Sequence, residues 1–151
     1  MLMVKEFSIE SMLEEKGYLA YTNVGTSMLP LLRARRDIIE IRPVRGRINR
    51  YEVALYKRGD KYILHRCLEK LPNGRYVFAG DHNIFKEYDV TDDMILGVMT
   101  RVIRDGKSIG VTDWKYKVYY HLWCDFYPMR VLILRAKAKL IRTLKQKRRG
   151  H

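Results

Sequence analysis

The segment Gly25-Thr26-Ser27-Met28-Leu29-Pro30 sets a serine where nucleophilic chemistry is possible. A serine hydroxyl is a weak nucleophile until a base takes its proton. A reactive serine therefore needs a stiff, exposed turn and a base within hydrogen-bond reach. Gly25 lets a substrate backbone approach closely, and Pro30 stiffens the exit from the turn. The same pattern, taken alone, also fits a polar loop entering a strand.

The elements that must position this serine follow from periodicity. Ser8 to Gly17 reads as a short helix, with Ser8 as N-cap, an apolar stripe of Ile9, Met12 and Leu13, and Gly17 after the last turn. Between about Leu19 and Val111 the period becomes that of strands. The runs Asp37–Arg42, Glu52–Tyr56, Tyr62–Leu68 and Arg75–Ala79 are short and rich in β-branched or aromatic residues. Turn signals at Arg58-Gly59-Asp60, Pro72-Asn73-Gly74, Gly80-Asp81 and Asp105-Gly106 separate or follow them. This spacing predicts an antiparallel β core coiled toward a barrel. Thr91 to Leu96 suits one helical turn. Beyond Asp113 come the aromatic run Trp114–Trp123, Pro128 as a break or kink, and a helical pattern from Met129 with Ile133, Ala136, Leu140, Ile141 and Leu144 near one face. The organisation expected is a domain over 1–112 and an aromatic, basic helical tail over 113–151.

Six short segments, in order, resemble those of type I signal peptidases and their relatives in the signal peptidase and LexA-like superfamily. Ser27-Met28-Leu29-Pro30 resembles the nucleophile box, and Asp37-Ile38-Ile39 and Tyr51–Tyr56 fall where the family starts two strands. Leu64-His65-Arg66-Cys67 is similar to the His-Arg-Val box, Phe78–Asn83 to the Gly-Asp-Asn-Asn box, and Ile95–Val98 to the closing strand. The match covers about Tyr21 to Val102. It implies a mainly β, α+β fold with flanking helices, built on a coiled, barrel-like antiparallel peptidase core.

The resemblance also implies roles. Ser27 is the nucleophile, and His65 is the base, as in the branch that uses histidine in place of lysine. An imidazole with an ordinary pKa near 6.5 takes a serine proton at neutral pH without the desolvation a lysine base requires. Asp81 either orients the histidine or shapes the site from behind it, with Glu87 and Asp89 as the other candidate acids. His82 is the alternative base. The amide of Ser27 is the natural oxyanion donor. Gly25 stands where some relatives have a serine hydroxyl, so a side-chain donor is absent at that position, and Thr26 is the near-site residue beside it. Arg36 replaces the glycine before Asp37, Tyr51-Glu52 replaces the second Gly-Asp, and no N-terminal anchor is read.

The expected function is a serine endopeptidase that cleaves a leader or signal segment from a polypeptide, with no cofactor and no metal. A non-catalytic relative that binds a peptide or membrane partner is the alternative. A self-cleaving repressor is disfavoured, because 24 residues before Gly25 leave too little room for a DNA-binding module and His65 replaces its lysine.

Composition bounds these readings. The chain has 151 residues and a net charge of +13, and nine basic residues from Arg130 onward, with no acidic residue among them, leave about +4 for everything before. The basicity belongs to the tail, which argues against nucleic acid as a partner of the domain. An amphipathic basic helix preceded by aromatics suits an anionic membrane surface, here through residues 114–149. A solvated charged face is the plainer alternative. Without a run of about twenty apolar residues or a secretory signal, the expected setting is peripheral, on the cytoplasmic face. Cys67 and Cys124 lie in no CxxC pair and read as reduced packing residues.

Overall fold

A computed structural model describes residues 8–149. The sequence reading of residues 1–7 lies outside them. Helix α1 (Ile9–Lys16) forms as its caps dictate: the Ser8 hydroxyl accepts the Ser11 amide at 3.1 Å, and Gly17 turns left-handed at φ 71°.

Eight strands follow: β1 (Leu19–Thr22), β2 (Ile38–Arg42), β3 (Val53–Arg58), β4 (Lys61–Lys70), β5 (Tyr76–Ala79), β6 (Glu87–Val90), β7 (Ile95–Arg104) and β8 (Lys107–Gly110). All pairings are antiparallel, in the order β1-β2-β7-β3-β4-β5-β6, with β8 hairpinned onto β7. Among the described residues no pairing joins β1 to β6. The fold is thus a mainly antiparallel β sheet with helices, of the α+β class. Thr91–Leu96 divides into a short 3-10 turn at Asp92–Met94 and the start of β7.

β3 shows why the sheet is buried on both faces. Val53 and Leu55 join a cluster with Leu13, Met28, Leu32, Ile39 and Ile41, while Ala54 and Tyr56 join a second with Cys67, Tyr76 and Phe78. Alternation sends successive side chains to opposite faces, and here each face meets a core. Cys67 and Cys124 are both free and buried.

Two helices follow the sheet, α2 (Trp114–Asp125) and α3 (Tyr127–Arg149). Pro128 stands in the first turn of α3, where its missing N–H costs no helical bond. The sequence placed the aromatics of α2 at a membrane surface, but several of them point inward. Tyr116 is buried, and Tyr119 and Trp123 bond to Asp81. The outward stripe of α2 is Trp114, Val118 and Leu122. Among the described residues no helix is long and apolar enough to cross a membrane.

Candidate active site

Ser27 sits in the turn that leaves β1, and the sheet builds this turn from both sides. Asn23 is buried, and its side-chain amide donates to the Gly25 carbonyl at 2.9 Å. The Asn23 backbone pairs with Asp37 and Arg35. Asp37 is fully buried and clasped by Arg33 and Arg104. Burial alone would raise its pKa, but these guanidiniums and the Arg33 amide prevail and hold it below the ordinary value. Met28 anchors the turn in the core, and the Leu29–Pro30 peptide is cis. Gly25 and Thr26 are exposed at its tip, and the Thr26 carbonyl accepts the Leu29 amide at 3.2 Å.

His65 reaches the same place from β4. Strand β5 leaves β4 at the Arg66–Ala79 pair, so Gly80 comes to lie against His65 where the ladder ends. A methyl group on Gly80 would stand 2.5 Å from the Ser27 carbonyl oxygen and 3.0 Å from His65 Nε2. The serine backbone and the ring nitrogen therefore flank one missing side chain. The His82 amide fixes this approach by donating to the Ser27 carbonyl at 2.8 Å. His82 thus contributes its backbone to the site.

The other ring nitrogen is engaged. His65 Nδ1 lies 2.7 Å from Glu87 Oε1, and the Tyr56 hydroxyl donates to both Glu87 oxygens at 3.0 Å. Arg58 Nη1 closes the cluster 2.7 Å from Glu87 Oε2. The carboxylate fixes the tautomer with the proton on Nδ1, which leaves Nε2 as the acceptor facing the Ser27 turn. Burial lowers the His65 pKa below its ordinary 6.5 and outweighs the opposing attraction of Glu87. The ring is neutral at neutral pH, as a base must be.

The place against His65 expected first for Asp81 is held by Glu87. Asp81 is fully buried and takes both Arg66 Nε and Nη2 at 2.8 Å, with the Tyr119 hydroxyl at 2.9 Å. Arg66 also donates to the Tyr51 carbonyl and the Tyr116 hydroxyl. Asp81 is thus the anchor that ties β4 and the Gly80 turn to α2. Asp89 is exposed and pairs with Arg58 at 2.7 Å.

Beside Ser27 a groove of about 320 Å³ runs between the end of β1 and the first half of β4. Tyr21, Val24, Gly25, Ser27, Ile63 and Leu64 are among its walls. Among the described residues, β4 pairs with β3 only from Lys61 to His65, which leaves its other edge open toward the groove. An extended peptide laid there can add to the sheet. No group of side chains able to hold a metal ion occurs among the described residues.

Sequence reasoning missed Tyr56, Arg58, Asn23 and Arg130. Tyr56 was findable, since it lies two positions from Ala54, the cross-strand partner of His65, and so on the same face. Arg130, read as part of the basic tail, is buried instead. It donates to the Gly80 carbonyl and, at 2.7 Å, to the Asn83 carbonyl. Compared with known proteins, the chain matches no family model, no curated protein and no solved structure.

Proposed function

We propose that the chain is a serine endopeptidase in which Ser27 is the nucleophile, His65 the general base and Glu87 the acid that orients the imidazole. The observation that carries this reading is the polarity of the His65 ring, with Nδ1 bound to Glu87 and Nε2 turned to the Gly80 position shared with the Ser27 turn.

The steps follow from that polarity. Ser27 Oγ forms a bond to the scissile carbonyl carbon while its proton passes to His65 Nε2, and the Ser27 amide stabilises the oxyanion. The carbon–nitrogen bond then breaks, and the imidazolium gives its proton to the leaving amine. Water, deprotonated by the same ring, then attacks the ester carbonyl carbon, the carbon–Oγ bond breaks, and the imidazolium returns the proton to Ser27 Oγ as the acid product leaves. Asp81 supports this chemistry from a distance, as a buried negative charge that favours the imidazolium.

The substrate class is an extended polypeptide segment, such as a leader or signal segment. What supports this is the groove with its open β4 edge, where main-chain hydrogen bonds hold the segment and the walls select side chains.

We also propose that α3 lies on an anionic bilayer surface. Leu140, Ile141 and Leu144 are exposed on a helix whose remaining faces carry Arg135, Lys137, Lys139, Arg142, Lys145, Lys147 and Arg148. Charge complementarity and an uncovered apolar stripe together favour a headgroup boundary.

The experiment is labelling with a fluorophosphonate, which phosphonylates activated serines with loss of fluoride, together with cleavage of a peptide library. Ser27→Ala should abolish both. Cleavage that persists undiminished in Ser27→Ala would end the peptidase reading. Co-sedimentation with phosphatidylglycerol vesicles tests the surface, and binding to duplex DNA in place of vesicles would overturn it.

A further inference from the structure

The nine basic residues from Arg130 onward look alike in sequence, but one of them differs in the fold. Arg130 is 1 % exposed, whereas Arg135, Lys137, Lys139, Arg142, Lys145, Lys147 and Arg148 are all exposed. Its guanidinium stands over the Tyr127 ring at 4.8 Å and the Trp123 ring at 5.9 Å. From there it reaches out of α3 to the Gly80 and Asn83 carbonyls. Burying a cation with no carboxylate partner is costly, and among the described residues Arg130 has none and its Nε and Nη1 make no hydrogen bond. Such a contact persists only where the surrounding structure holds it in place.

What the contact holds is the back of the candidate site. Gly80 is the residue whose absent side chain separates the Ser27 carbonyl from His65 Nε2, and the Asn83 amide closes the same turn on the Gly80 carbonyl at 2.9 Å. A shift of Gly80 by a fraction of an ångström changes the approach of serine to imidazole. Proton transfer is sensitive to displacements of that size.

The seating of Arg130 depends in turn on α3 being helical through its first turns. Beyond Leu134 the helix is uncovered, and its neighbours at three or four residues are like charges: Arg135 with Lys139, Lys139 with Arg142, Arg142 with Lys145, Lys145 with Arg148. None of these cations has an ion pair among the described residues. Such pairs destabilise a helix in water. Helix formation is cooperative, so loss of the distal turns weakens the proximal one. An anionic surface removes the repulsion and covers Leu140, Ile141 and Leu144.

We propose that Arg130 is a positioning residue of the Ser27–His65 site and that, through it, an anionic bilayer bound by α3 raises the rate at which Ser27 attacks an acyl or phosphonyl electrophile. This rests on the peptidase reading above. By linkage, whatever favours the seated helix favours the aligned loop.

The test is the rate of fluorophosphonate labelling of the full chain in buffer, with phosphatidylcholine vesicles, and with mixed phosphatidylcholine and phosphatidylglycerol vesicles. The mixed vesicles should accelerate labelling about fivefold or more, and phosphatidylcholine alone should not. Arg130→Lys should lower the basal rate about 10- to 100-fold. It should also displace the pH midpoint of labelling, which a purely structural loss would leave in place, and show no response to lipid. Leu140→Glu combined with Leu144→Glu, both exposed and remote from the site, should bring the ratio of rates with and without mixed vesicles to one. The inference is overturned by Arg130→Lys labelling at the wild-type rate, by equal acceleration in wild type and Arg130→Lys, or by mixed vesicles that bind the wild type without changing its rate. Ser27→Ala separates the two failures. Labelling that survives in that variant sinks the peptidase reading, whereas Ser27-dependent labelling indifferent to lipid and to Arg130 sinks this inference alone.

Discussion

Glu87 Oε1 lies 2.7 Å from His65 Nδ1, on the side of the imidazole away from Gly80 and Ser27. That geometry assigns one nitrogen to orientation and leaves the other for proton transfer. Glu87→Gln keeps the shape but turns an amide toward the ring, and an amide N–H facing Nδ1 favours the tautomer with its proton on Nε2. The rate of Ser27 acylation should fall roughly 10²- to 10⁴-fold with the fold retained by circular dichroism. Labelling of Glu87→Gln at the wild-type rate would remove Glu87 from the site.

The direction of the His65 shift fixes a pH dependence. Burial depresses the pKa below 6.5, so the ring loses its proton earlier than a free histidine as pH rises. The labelling rate should climb from acid pH and reach half its plateau below pH 6.5. The same group costs stability in acid, because the unfolded chain binds a proton that the folded ring resists as pH falls below 6.5. His65→Gln should flatten both profiles. A rate midpoint above pH 7 in the wild type would contradict the buried-base arrangement.

How far the site was legible depended on strand alternation. Ser27 and His65 stand in short sequence boxes, and the caps of α1 and the strands β2 to β5 follow from composition and period. The choice between Asp81 and Glu87 was harder, because both are acids near the right place in the chain. Adjacent residues of a strand point to opposite faces, so His65 and Arg66 look in opposite directions. Gly80 meets His65, and the next residue, Asp81, goes with Arg66. Glu87 reaches His65 only because β6 pairs with β5, with Glu87 opposite Phe78. No local pattern carries that information. Arg130 was hidden for a different reason. Among the basic residues of the tail it is the one four positions before the buried Leu134, and helical phase alone gives it an inward direction.

Gly80 admits a sharp prediction because its Cβ position is already occupied. In Gly80→Ala the methyl group would meet the Ser27 carbonyl at 2.5 Å and the His65 ring at 3.0 Å, so the turn or the ring must move. Overpacking of this kind costs about 1–3 kcal/mol of stability. The effect on labelling should be larger than stability explains, because a variant still folded at the assay temperature has its serine and imidazole forced apart. A folded Gly80→Ala protein that labels normally would mean that the spacing at Gly80 is irrelevant to the chemistry.

Asp81 and Glu87 should differ in how they fail. Asp81 and Arg66 are fully buried partners, and truncating one leaves an uncompensated charge in the interior. Asp81→Ala should destabilise the fold by about 3–5 kcal/mol, which a denaturant titration reads as a large drop in midpoint. Tyr119 loses its acceptor in the same variant, so the packing of α2 should loosen with it. Glu87 is partly exposed, and its replacement by Gln removes no buried charge pair, so the melting temperature of Glu87→Gln should move little while labelling collapses. If Asp81→Ala instead kept its stability and lost only labelling, Asp81 would act directly on the chemistry and the division of labour between the two acids would be reversed.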